Sequence, residues 1–144
     1  MLALFSSCSS ESETPATSGE AMPAQAWTDP VLETIQKGEL TIDIFEVGTG
    51  TVAKDYDRVS VHYTGWIRNS EFVFDSSAER EVPFSFPLGA GKVIAGWDKG
   101  IEGLTVGTRA RLHVPWQMGY GKRGNPPIPG EADLVFDIEL VGAR

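Results

Sequence analysis

From Leu40 onward, apolar and polar side chains alternate through most of the chain. Leu40, Ile42 and Ile44 alternate with Thr41 and Asp43, and Val59, Val61 and Tyr63 with Ser60, His62 and Thr64. Ala110, Leu112 and Val114 alternate with Arg109, Arg111 and His113, and Leu134, Phe136, Ile138 and Leu140 with Val135, Asp137 and Glu139. A period of two is that of a strand with one buried face. Val82, Phe84, Phe86 and Leu88 follow the same rule against Pro83, Ser85 and Pro87. Two prolines confine that segment to an edge or a bulge, because proline donates nothing to a strand ladder. One inner segment has helical period: Ile94, Trp97, Ile101 and Leu104 share a face, although Gly96, Gly100 and Gly103 make it a poor helix by propensity. Such a helix must be held by packing. The pattern predicts an α+β fold, an antiparallel sheet of about five strands with one short helix on its apolar face.

Ahead of this region the pattern fades. Residues 1–25 are rich in Ser, Glu, Thr, Pro and Ala, bury little, and read as a disordered tail or tether. Residues 26–38 form a lead-in in which Asp29–Pro30 is suited to open a short helix, with Glu33 near its positive end. Residues 39–144 form the folded domain. VGTG at 47–50 reads as a turn.

The chain has 144 residues and a net charge of −8, with one cysteine, Cys8, and two histidines, His62 and His113. That length is one domain. The acidic balance excludes an electrostatic footprint for nucleic acid or anionic membrane, and no apolar run of about 18 residues is present to span a bilayer. A single cysteine excludes an internal disulfide and a cysteine-based metal site. Both histidines fall on the outward phase of their strands, so each reads as structural before it reads as catalytic. LGAGKV at 88–93 lacks the spacing of a phosphate-binding loop and reads as a turn before the helix. FSSC at 5–8, followed by a Ser/Glu/Pro segment, looks like the processing site of a bacterial lipoprotein; against this, no Lys or Arg precedes Lys37. That motif favours a periplasmic protein with a lipid anchor at Cys8, the alternative being a cytoplasmic one.

The aromatic residues cluster: Tyr63 at a strand end, Phe74 opening a loop with Asp75, Phe84 and Phe86 on one face of the next strand, Trp97 on the buried helix face, Tyr120 in GYGKRG, and Phe136 on the last strand. Taken alone, such a set is more often core than site. The ordered series VHYTG (61–65), FDSS (74–77), Arg80, PFSFPLG (83–89), VIAGWDKGI (93–101), VG (106–107), GYG (119–121), IP (128–129) and LVFDIEL (134–140) resembles the FKBP-type peptidyl-prolyl cis/trans isomerases. The resemblance covers roughly Leu40 to Arg144.

It implies a curved sheet wrapped on the helix and an enzyme that accelerates rotation about X–Pro bonds in a non-covalent apolar pocket, without cofactor or metal. Trp97 would be the floor, with Tyr63, Phe84 and Phe136 as walls and Val93 and Ile94 at the rim. The Ile94 N–H would hold a substrate carbonyl. Phe74, Asp75 and Tyr120 would crowd the isomerising bond, with the Tyr120 hydroxyl donating a hydrogen bond, and Ile128 would close the flap. Arg80 would brace Asp75 and orient Tyr63. Implied partners are prolyl peptides and unfolded proteins, with macrolides of the rapamycin type as further ligands, and the working unit is a monomer. The competing reading is an FKBP-like prolyl-binding or chaperone module with little turnover. The sequence departs from the family pattern in a longer Gly65–Phe74 loop carrying Trp66, in Lys92 where some relatives carry an acid, in a short proline-rich flap, and in Trp116.

Overall fold

The structure is a computed structural model that describes residues 30–70, 72–77 and 82–144. The tail, Cys8 and the start of the lead-in lie outside the described residues, as does Arg80.

Seven strands, one α-helix and a short 3-10 helix (Trp116–Met118) make up the described fold: β1 (Glu33–Lys37), β2 (Leu40–Glu46), β3 (Arg58–Ile67), β4 (Val73–Ser76), β5 (Phe84–Pro87), α1 (Ala95–Ile101), β6 (Arg109–Val114) and β7 (Leu134–Ala143). The strands form one antiparallel sheet in the order β1-β2-β6-β7-β3-β4, with β5 also pairing β3. The two ten-residue strands, β3 and β7, are neighbours at its centre. The far side of β3 is divided, β5 taking Arg58–Val61 and β4 taking Thr64–Trp66. β5 therefore has one partner strand among those described, the edge position its prolines require.

Two strands were not expected. The described part of the lead-in holds a strand where a short helix was expected: Glu33–Lys37 pairs with β2 across a two-residue turn in which Gly38 sits at φ +64°. A hairpin of that length needs a residue that tolerates positive φ, and glycine does so without steric cost. Phe74 and Asp75 do not open a loop but lie within β4, a four-residue strand too short to show alternation. The sheet consequently has seven strands and not five.

The inner face carries the core. Leu40, Ile42, Val59, Val61, Ala110, Leu112 and Leu140 are all at 0% exposure. Helix α1 lies against β6 and β2, and its glycines make the approach possible. A methyl on Gly96 would stand 2.6 Å from Val114 Cγ1, and one on Gly100 would stand 3.1 Å from Leu112 Cδ1. The helix C-terminus is held from β1, where the Lys37 ammonium donates to the carbonyls of Lys99 (2.7 Å) and Glu102 (2.8 Å).

The opposite face is also partly covered. Asp137 on β7 is 1% exposed and accepts two hydrogen bonds from Arg111 on β6, from Nε at 2.6 Å and from Nη2 at 3.0 Å. The guanidinium lies over the rings of Phe45 (5.2 Å) and Trp66 (5.4 Å), so the additional tryptophan caps a buried ion pair. Burial pushes the Asp137 carboxyl above its ordinary value, while the Arg111 hydrogen bond and charge pull the other way.

Removing one partner of such a pair leaves a buried charge uncompensated. Arg111→Met is expected to lower stability by about 3–5 kcal/mol in chemical denaturation, and the double variant Arg111→Met, Asp137→Leu to recover much of that loss. A single variant as stable as the parent would mean the pair is solvated.

Candidate functional site

Beyond the N-terminal end of α1, the sheet and two loops enclose a cavity of about 420 Å³. Trp97 forms its base. The ring is 5% exposed and packs edge-on against Tyr63 (centroids 4.9 Å apart) and Phe136 (5.3 Å), with Phe84 at 6.1 Å. Phe86 supports the indole from β5 at 5.7 Å and stacks on Phe84 at 5.5 Å. Phe74 meets Phe136 edge-on at 5.7 Å, closing the opposite wall. Edge-to-face contacts of this kind suit the quadrupoles of aromatic rings and hold each ring in one orientation.

Gly65 makes that wall possible. A methyl at this position would stand 2.7 Å from a Phe136 ring carbon and 2.8 Å from the tip of Phe74. The β3–β4 ladder shifts register between Gly65 and Trp66, and Phe74 and Asp75 both reach the cavity. Irregularities of this kind re-aim side chains beside functional sites.

Among the described residues, four ionisable side chains line the cavity: Tyr63, Asp75, Lys92 and Tyr120. Asp75 accepts a hydrogen bond from the Tyr63 hydroxyl at 2.5 Å, so tyrosine and carboxylate fix each other. Burial, and to a lesser degree the negative charge of Asp75, push the Tyr120 phenol above its ordinary value. Tyr120 therefore stays protonated, and able to donate, throughout the neutral range. The turn leading into α1 is tied down by Asp98, whose carboxylate accepts from the N–H groups of Gly89 (2.8 Å) and Gly91 (3.2 Å). Those glycines sit at φ +81° and +73°, and the turn sets Val93 and Ile94 at the cavity rim.

Most residues predicted for the site thus converge: Tyr63, Phe74, Asp75, Phe84, Val93, Ile94, Trp97, Tyr120 and Phe136 all line the cavity. Ile128 does not. It is 5% exposed within the core and exchanges backbone hydrogen bonds with Asn125. The histidines also lie elsewhere, His62 against Ser77 (3.0 Å) and His113 against Asp43 (2.9 Å). Sequence reasoning did not find the Tyr63–Asp75 hydrogen bond or the support given by Phe86. The first depends on a pairing between strands that sequence separation does not reveal; the second was visible in the alternation of β5.

An aromatic pocket around an indole base, inside this sheet order, agrees with comparison to known proteins. Residues 50–141 match the model of the family described as FKBP-type peptidyl-prolyl cis-trans isomerase. The chain belongs to that family. It is 52% identical over 89 residues to the peptidyl-prolyl cis-trans isomerase FPR2 of Saccharomyces cerevisiae, covering 61% of this chain and 66% of that protein. It is 48% identical over 111 residues to FK506-binding protein 1 of Candida glabrata, covering 76% of this chain and 96% of that protein. The solved structure of AtFKBP13 superposes with a TM-score of 0.71 at 34% identity, covering 78% of this chain and 99% of that one. Relatives at this level of identity include proteins of yeasts, other fungi, Dictyostelium and Arabidopsis, which lends no support to a bacterial periplasmic location. Among the described residues, no helix is long and apolar enough to cross a membrane.

The indole Nε1 is buried without a hydrogen-bond partner among the described residues. An orphaned donor of this kind costs about 1–3 kcal/mol, so the indole is retained at the base of this FKBP cavity against a local penalty. Trp97→Ala is expected to lower stability by about 3–5 kcal/mol through the cavity it leaves. Trp97→Leu removes the orphaned donor as well, and its loss should be smaller. Thermal and urea unfolding of the two variants checks this; an alanine variant as stable as the parent would show that the indole is not packed as described.

Proposed function

We propose that this chain accelerates cis/trans rotation about X–Pro bonds, binding the prolyl ring on Trp97 and leaving all covalent bonds intact. The observation that carries the reading is the cavity itself: aromatic walls from Tyr63, Phe74, Phe84 and Phe136 around an indole base, with its one lining carboxylate already bonded to Tyr63. Membership of the isomerase family supports the same reading.

Rotation about an X–Pro amide faces a barrier of about 18–20 kcal/mol and takes tens to hundreds of seconds unaided. Resonance in the planar amide places negative charge on oxygen and positive charge on nitrogen. Twisting the bond breaks that resonance and makes the carbonyl less polar. A dry apolar cavity therefore disfavours the planar state more than the twisted one, and walls shaped to the twisted state add to the difference. A turnover of about 10³ per second requires about 7 kcal/mol off the barrier.

The polar groups orient the substrate. The Ile94 N–H donates to nothing among the described residues and stands at the rim, where a substrate carbonyl would accept from it. The Tyr120 hydroxyl would donate to the carbonyl of the rotating bond. Asp75, held by Tyr63, narrows the space around that bond; Arg80 would add to this brace. Ile128, packed into the core from the loop after Tyr120, would act by holding the shape of that loop. Substrates would be prolyl segments of peptides and unfolded proteins. The relatives named FK506-binding proteins make a macrolide that fills the same cavity a reasonable second ligand. The working unit would be a monomer.

The test is isomerisation of a Leu–Pro or Phe–Pro peptide across pH. With no proton transferred and Tyr120 protonated throughout, kcat/KM should be nearly flat from about pH 6 to 8. Tyr120→Phe and Asp75→Leu should each lose about tenfold or less. Binding of the peptide without acceleration would make the chain a prolyl-binding module. A loss of several powers of ten in either variant, or a bell-shaped profile with the fold intact, would point to acid–base chemistry.

A further inference from the structure

Among the described residues the cavity is lined by one cation, Lys92, and its environment is unlike that of the carboxylate beside it. Asp75 is bonded to the Tyr63 hydroxyl, whereas the ammonium of Lys92 is exposed and has no ion-pair or hydrogen-bond partner among the described residues. Its backbone is nonetheless fixed. Lys92 follows the turn pinned by Asp98 through Gly89 and Gly91, and it lies two residues before Ile94 at the rim. A flexible stem on a rigid base can bring the charge to whatever passes the mouth. The chain as a whole carries a net charge of −8, so this cation at the mouth runs against the overall charge.

We propose that Lys92 is a specificity-determining residue that favours substrates carrying a carboxylate, from Asp or Glu, on a residue flanking the isomerised proline. The inference rests on the isomerase reading of the cavity. A proline seated on Trp97 extends its neighbouring residues across the rim that Lys92 borders. A carboxylate there gains an opposite charge that has no competing partner among the described residues, while the uncharged amide of Gln gains nothing comparable. The pair is solvent-exposed, so the effect is modest, about two- to fivefold, and it is weakened by salt.

The experiment compares kcat/KM for peptides that differ only in Glu or Gln, placed directly before the proline or one residue earlier. The ratio is taken within each variant, so changes in general turnover cancel. The parent should prefer Glu by about two- to fivefold in at least one position. Lys92→Gln should bring that ratio to one, Lys92→Glu should invert it, and Lys92→Arg should keep it. The parent's preference should shrink as ionic strength rises. A parent ratio of one in both positions, or a preference that survives Lys92→Gln, overturns the proposal. Absence of turnover with every peptide would instead overturn the isomerase reading, and the Glu-to-Gln ratio of peptide dissociation constants would then decide the role of Lys92 by the same criteria.

Discussion

The site depends on how closely one short helix can approach the sheet. α1 has seven residues, two of them glycine, and a helix of that length has no stability of its own in water. It exists because Gly96 and Gly100 let its backbone settle onto Val114 and Leu112, where a methyl would collide with Val114 and crowd Leu112. That contact fixes the height of Trp97 above the strands. The height in turn decides whether Tyr63, Phe136 and Phe84 meet the indole edge-on or leave a gap. The glycines that weaken the helix by propensity are what let it carry the base of the cavity.

Around this apolar centre, polar groups act mostly as fasteners. Asp98 holds the turn before the helix, Lys37 holds the carbonyls after it, and Tyr63 and Asp75 hold each other at the cavity wall. On the other face of the sheet, Arg111 and Asp137 pair across β6 and β7 beneath Phe45 and Trp66. In each case a charged or polar side chain fixes a position and leaves the cavity to aromatic surface. A reaction that moves no proton and forms no bond asks little more of its site than shape, dryness and a few donors.

How much of this the sequence revealed follows from local physics. β2, β3, β6 and β7 alternate because one face of each is buried in the core, and that pattern is readable in one dimension. β1 and β4 are not readable. In β1 the residues are mostly exposed, and Pro30 and Glu33 carry helix-start signals that pairing with β2 overrides. β4 is four residues long and gains its strand geometry from β3. The aromatic lining was legible through family resemblance more than through pattern, since Tyr63, Trp97 and Phe136 share the periodicity of the core they extend. Ile128 packs into the core, and in sequence a buried residue and one facing a cavity look the same. Trp66 drew notice as an extra tryptophan, but its partner Arg111 lies on a strand distant in sequence.

The account stands on catalysis by an apolar cavity without proton transfer. The most direct measurement is kcat/KM for a Leu–Pro peptide in light and heavy water, at matched positions on the pH profile. If the bond simply rotates between rings around Trp97, the two rates agree within error, because no proton is in flight at the transition state. A several-fold slowing in heavy water, with the folded protein unchanged, would contradict the account.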